Sequence, residues 1–346
     1  MGLSRGSLYA LIGYYLALNG LNAFNYGYHS DEKLFVHITM LSIVLLLCIF
    51  NCWQRKRHVL RILRELLHLE NRYLSAWEQS MTGKRKRKLM KLNNLYYIKL
   101  GLFLLTLIRT WLFYPLYLKR FRPKNYMLDI TSTMLLVNVS VAIMFEYYCI
   151  LWQICRSCSL LNDQLSQLLC PRSIRESWKS EKSAKFLLLK RQFFKILALH
   201  SLMGESFQYI LLCLLASKGW YLITYGYEIF VIIAAPQHSS IPIKMRSFVI
   251  VSYLIDALNL YYTSNLAENL EIMIRKTAFI LRTPPRESSA FKRLITAFAL
   301  ELAWRQKCAS ILNVFTINRQ LTFKLLAKTL LYTICWLQGD YLELRK

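Results

Sequence analysis

Apolar residues in this chain come in blocks rather than in 3.6-residue stripes. Each block runs to about 20 residues, the length a bilayer core of about 30 Å demands of a spanning helix. Leu41 to Phe50 is one such leucine-rich run. The pattern predicts spans at about 7–25, 34–54, 98–118, 131–154, 206–234, 246–266 and 321–342. Asn19, Asn22 and Asn25 dilute the first of these, and the fifth is long enough to tilt or to project from the bilayer. The fold class that follows is all-α: a polytopic membrane protein of about seven transmembrane helices.

The segments between blocks carry a different pattern. From His58 to Leu74, the apolar residues Val59, Ile62, Leu63, Leu66, Leu67 and Leu74 recur near helical spacing, with Arg61, Arg64, Glu65 and Arg72 between them. Residues 186–203 and 290–313 look similar. These stretches should continue the membrane helices into the cytosol and pack together there. Pro284-Pro285 should separate the sixth helix from one starting near Ser288. The organisation expected is a bundle over 1–266, a cytosolic helical segment over 267–320 and a last membrane helix over 321–346.

Charge decides orientation. With the N-terminus inside, the cytosolic parts 1–6, 55–97, 155–205 and 267–320 hold 31 lysines and arginines, against 9 on the outer side. That bias places the N-terminus inside and the C-terminus outside, although Lys119 to Lys124 run against it. Arg5 precedes an apolar stretch that runs to Phe24 without a small-residue cleavage site, so no cleavable signal peptide is expected. The net charge of +26 and the run Lys84-Arg85-Lys86-Arg87-Lys88 do not indicate a nucleic-acid partner, because the basic residues lie in short loops between apolar blocks. Of nine cysteines, Cys48, Cys52, Cys149, Cys213 and Cys335 fall in or beside apolar blocks, where a thiol acts as a small apolar side chain. Cys155 and Cys158 form a lone CxxC without a second pair or nearby histidines, which argues against a metal. No cofactor is implied.

Ionisable residues inside spans cost about 2.5–3.5 kcal/mol each on insertion scales unless paired or hydrated. Arg109, Glu146 and Asp256 reach similar depth in spans three, four and six, so a buried cluster of the three is geometrically possible. It reads as a structural ion pair or as a ligand or ion site. Lys218 in span five has no evident partner. Aromatic residues with polar tips gather in the outward halves of spans three, five and six: Trp111, Tyr114 and Tyr117; Trp220, Tyr221, Tyr225 and Tyr227; Tyr253. They form either an interfacial belt or the wall of a small-molecule pocket, to which Asn138 of span four would add a polar group. In the last span Lys324, Lys328, Leu331, Cys335 and Gln338 share one stripe. Gln338 suits either a helix–helix hydrogen bond or a water-filled path in a symmetric oligomer. There is no HExxH, GxSxG, Walker loop or GxGxxG turn, so no enzymatic chemistry is expected. Asn138-Val139-Ser140 has the form of a glycosylation sequon but lies within a span.

The stretch Phe315-Thr316-Ile317-Asn318-Arg319, followed by Leu331-Tyr332, five residues and Gln338, resembles the C-terminal signature of insect gustatory receptors. In that family an F-x-I-N-R segment precedes a last span carrying T-Y, five hydrophobic residues and Q-F. Leu331 here replaces the threonine and Gly339 the phenylalanine. Trp53 with the basic residues after it, and the helix around Leu66-Leu67-x-Leu69-Glu70, are similar to its bitter-type branch. A segment like Gly20 to Phe24 precedes the first span in relatives, so residues 7–25 would here stand in for a missing one. The resemblance implies a tastant-gated cation channel in the cell membrane of gustatory sensory neurons, assembled as a homo- or heterotetramer. Tyr332, Cys335, Gln338 and Gly339 would line its pore, and a small-molecule tastant, bitter rather than sugar, would bind in the outward half of spans two to six. Membrane lipid is the other implied partner. The rival classes are a G-protein-coupled seven-helix receptor, which needs the N-terminus outside, and a transporter using the charge cluster, which should show internal repeats that are not found.

Overall fold

The structure, a computed structural model, describes residues 50, 54–79, 83–113, 126–169, 179–234, 243–282, 289–305, 310–311 and 315–344. The spans expected at 7–25 and, but for its last residues, at 34–54 lie outside these, as do Tyr114, Tyr117 and Pro284-Pro285. Helix α1 covers 54–79, α2 Lys84–Ile108, α3 Tyr126–Leu168, α4 Lys179–Ala234, α5 Ile243–Arg282, α6 Ser289–Arg305 and α7 Arg319–Leu344. A two-residue antiparallel pair, β1 (Ser310–Ile311) with β2 (Phe315–Thr316), precedes α7. That pair is a small addition to an otherwise helical description.

Helices α2, α3, α4, α5 and α7 coincide with spans three to seven of the hydrophobic pattern. Among the described residues, three stretches, Arg85–Leu112, Val137–Leu168 and Glu181–Ile233, are long and apolar enough to cross a membrane. Helices α5 and α7 match in length but are diluted, by Ser252, Asp256, Asn259 and Thr263 in one and by Lys324, Lys328 and Gln338 in the other. The 43 residues of α3, 56 of α4 and 40 of α5 correspond to about 65, 84 and 60 Å at 1.5 Å per residue. A bilayer core of about 30 Å covers half of that or less. The remainder forms a second, protein-packed layer.

The best-buried core runs from the inner halves of the spans into that layer. Tyr148, Leu151 and Ile154 of α3, Phe186 and Phe207 of α4 and Leu266 of α5 are almost completely enclosed. Cys155 and Cys158 lie in the same core, where the Cys155 thiol donates to the Leu266 carbonyl, 3.5 Å. Helix α1 joins through Val59, Ile62, Leu66 and Leu69, at spacings of three, four and three. The π-helical turn Glu70–Leu74 then inserts a residue, which brings Leu74 rather than residue 73 fully inward. Leu63 and Leu67, expected on the apolar face, are instead exposed. The same turn presents Glu70 to Arg156, 2.7 Å, and Gln153, 2.9 Å, while Arg156 also bonds Glu78. Gly83, at φ 59°, caps α2 in the left-handed region that favours glycine.

Candidate functional site

Two polar stripes face each other across the bundle. On α2 they are Lys99, Thr106 and, in a π-helical turn Arg109–Phe113, Arg109; on α5 they are Ser252, Asp256, Asn259 and Thr263. Asp256, with its side chain 1 % exposed, accepts from Lys218 Nζ of α4 at 2.6 Å and from Arg109 Nη1 at 3.2 Å. Arg109 also donates to the Ser252 carbonyl, 3.0 Å. Lys99 donates to the Asn259 carbonyl, 2.8 Å, and to Thr263 Oγ1, 3.0 Å, and Asn259 Nδ2 donates to Thr106 Oγ1, 3.2 Å.

The structure therefore brings Arg109 and Asp256 together and supplies Lys218 as the second cation. Glu146, expected as the third member, points elsewhere: its carboxylate takes Arg55 Nη2 of α1 at 2.7 Å. Depth alone placed Glu146 with the other two. Position around the helix axis sends it to α1 instead.

Two cavities flank the Lys218–Asp256 bond. One, about 30 Å³, is lined by Lys99, Phe103, Phe145, Asn259 and neighbours; the other, about 20 Å³, by Arg109, Val137, Tyr221 and Tyr225. A water needs about 10–15 Å³ of such space, and a drug-sized ligand about 300–1,000 Å³. Each has room for a water or two, so a tastant would have to widen them.

The aromatic set divides. Tyr221 and Tyr225 stack at 6.1 Å and line the smaller cavity. Trp220 belongs to the α4–α7 contact, edge-on to Trp336 at 5.5 Å. Trp111 is 61 % exposed on the outer face of α2, away from both cavities. Tyr253 and Asn138 are half-buried, and the Asn138 side-chain oxygen is enclosed without a hydrogen-bond partner.

Helix α7 packs on α4 and α5 by one face. Thr322 donates to Ser264 Oγ, 2.7 Å, and Thr333 to the Ile223 carbonyl, 3.3 Å. Gly219 and Gly226, seven residues apart on α4, let α7 approach closely: a Cβ at Gly226 would stand 3.0 Å from Thr333 Oγ1. The opposite face, with Lys324, Lys328, Leu331, Tyr332, Cys335, Gln338 and Gly339, is exposed in the single chain.

A bidentate pair holds the entry to α7. Arg319 Nε and Nη2 donate to the two Glu268 carboxylate oxygens at 3.0 and 2.5 Å, and the Arg319 backbone N–H adds a third bond, 3.0 Å. The Arg319 side-chain bonds hold the Glu268 carboxyl below its ordinary range. A depressed carboxylate pKa contributes stability above the unfolded value, about 4.3 for Glu, and loses it as pH falls through the lower folded value. Hydrogen exchange over 319–323, corrected for intrinsic rates, should therefore stay constant from pH 8 to pH 5. Glu268→Gln should open the segment throughout that window. Opening of the wild type between pH 7 and pH 5 would mean another group holds it.

The family model for 7tm chemosensory receptors matches residues 8–343. The chain belongs to this family. It is a family of chemosensory receptors, not of enzymes. The receptor is 22% identical over 317 residues to the putative gustatory receptor 85a of Drosophila melanogaster, covering 90% of this chain and 75% of that one. Its fold is that of the insect olfactory receptor OR5 from Machilis hrabei. The eugenol complex of OR5 superposes with a TM-score of 0.66 at 11% identity, over 94% of this chain and 88% of that one. A second structure of OR5 from Machilis hrabei gives 0.63 at 13%, with the same coverage.

Lys99 was overlooked in the sequence, although its signal is there. Lys99, Leu102, Thr106 and Thr110 recur at three, four and four, all buried on α2, and Ser252, Asp256, Asn259 and Thr263 recur at four, three and four on α5. Two such stripes on apolar helices imply a polar seam between them.

Proposed function

We propose that this chemosensory receptor is a gustatory channel subunit, opened by a small-molecule tastant of the bitter class and conducting cations in the cell membrane of gustatory neurons. The observation that carries the reading is the uncovered polar face of α7. A helix of 26 residues spans about 39 Å, enough to cross the bilayer. Its threonine face packs inside the subunit, while Lys324, Lys328 and Gln338 are exposed. Polar side chains facing lipid are costly, and water or neighbouring subunits would remove that cost. Four copies with α7 innermost would turn the stripe of Leu331, Cys335 and Gln338 toward a central path. Lys324 and Lys328 would extend their apolar stems toward the cytosolic mouth. The pairing of Arg319 with Glu268 and the close approach at Gly226 tie α7 to α5 and α4, the helices that line the polar seam. Widening the cavities would thereby reach the pore helix. A tastant gates only if it binds the open form more tightly than the closed one.

Epitope tags on intact and permeabilised cells test the topology: the N-terminus should be inside and the C-terminus outside. An N-terminus outside would turn the reading to a G-protein-coupled receptor. Where tastant-evoked current is obtained, Gln338→Ala should change unitary conductance and cation selectivity. Unchanged values would remove Gln338 from the pore.

A further inference from the structure

We propose that the cavity between Lys99 and Lys218 is an anion subsite that takes the carboxylate of a small organic acid with a short apolar body; this rests on the chemoreceptor reading above and names its ligand class. The first support is charge. Within the seam stand three cations, Lys99, Arg109 and Lys218, and one carboxylate, Asp256, already shared by two of them. Lys99 is 2 % exposed, and its ammonium meets only neutral partners: the Asn259 carbonyl, the Thr263 hydroxyl and the Tyr148 ring, 5.3 Å away.

Two further acids of the described membrane helices, Glu146 and Glu228, do not balance it. Glu146 is committed to Arg55. Glu228 lies ten residues beyond Lys218 on α4, about 15 Å along the axis. A buried charge is tolerated when a counter-charge or a full set of hydrogen bonds accompanies it. With Lys99 protonated the seam carries a surplus of positive charge, and a bound anion would supply the missing counter-charge.

Shape gives the second support. Lys99, Lys218, Thr106, Asn259 and the lysine-paired Asp256 form a polar end, and Phe103, Val141, Met144, Phe145 and Leu260 form an apolar wall beside it. The rings of Phe103 and Phe145 stack at 4.3 Å across that wall. The present volume of about 30 Å³ admits a carboxylate head. The apolar body would enter by parting these side chains rather than by moving the ion pairs. Lys99 and Lys218 repel an ammonium at the same place, while Asp256 is already shared by Lys218 and Arg109.

The test uses the purified full chain in lipid nanodiscs at pH 7.4, with thermal stabilisation titrated by sodium hexanoate, hexan-1-ol and hexylamine in a chloride-free buffer. Hexanoate should bind at least ten-fold more tightly than hexan-1-ol, and hexylamine should give no shift. Lys99→Gln should abolish that preference while the response to hexan-1-ol persists, which shows that the variant is folded. Phe145→Leu, the second variant, should weaken hexanoate and leave acetate unchanged. Equal binding of hexanoate and hexan-1-ol, or a preference that survives Lys99→Gln, would overturn the assignment. Chloride binding as tightly as hexanoate would overturn the organic-acid class in favour of an inorganic anion. Binding and gating fail separately: a neutral tastant that evokes current where hexanoate does not bind sinks the anion subsite alone. Hexanoate that binds a receptor from which no tastant evokes current sinks the channel reading alone.

Discussion

Asp256→Ala should be among the most damaging single substitutions in the membrane half of this receptor, costing about 3–5 kcal/mol, the range for breaking a buried pair by removing one partner. The carboxylate is 1 % exposed and serves Lys218 and Arg109 together, so its loss leaves two cations without their acid, with Lys99 a third on the same seam. Domains are stable by about 5–15 kcal/mol in all, so the variant should show a sharply lower melting temperature and reduced surface expression. Asp256→Asn keeps the shape and should recover only part of the loss, because an amide restores hydrogen bonds but no charge. Lys218→Met with Asp256→Ala should cost less than the sum of the single changes, since the second removes one of the charges the first strands. Equal melting of Asp256→Ala and the wild type would show that the seam does not order the bundle.

How much of this was legible in the sequence follows from what periodicity measures. Apolar blocks place α2, α3, α4, α5 and α7, because lipid requires continuous apolar length and nothing in tertiary packing overrides that. Helical continuations such as 186–203 were legible as amphipathic pattern, and they continue α4 without a break. Azimuth was harder to read. Leu63 and Leu67 fit an apolar helix stripe as well as Ile62 and Leu66 do, and only contact with α3 and α4 separates buried from exposed.

The seam repeats the lesson at single-residue scale. Counting along spans gives depth, which paired Arg109 with Asp256 and misplaced Glu146. Lys218 went unpartnered because α4 runs 56 residues and its depth cannot be counted from a distant end. The aromatic residues had two physical uses that composition does not separate. Tyr221 and Tyr225 turn inward to a cavity, while Trp220 serves the contact with Trp336.

The protein-packed layer beyond the spans offers the second large effect. Phe298 of α6 is 1 % exposed and meets three rings of α4 edge-on: Phe186 at 5.9 Å, Phe193 at 5.8 Å and Phe194 at 5.3 Å. Phe298→Ala removes the shared partner of all three and should cost about 3–5 kcal/mol, while Phe298→Leu retains much of the volume and should cost about 1–2 kcal/mol. The packing lost is between α4 and α6, so cytosolic protease should cut near α6 well before the membrane half melts. Trp304, on the same helix, provides the contrast. It is the larger side chain, but at 91 % exposed it touches almost nothing within the subunit. Trp304→Ala should leave monomer stability within about 0.5 kcal/mol. An effect of that substitution confined to assembled receptor would show that α6 meets a neighbour through the face opposite Phe298. Equal protease resistance of Phe298→Ala and the wild type would mean that the aromatic contacts between α4 and α6 do not hold this layer together.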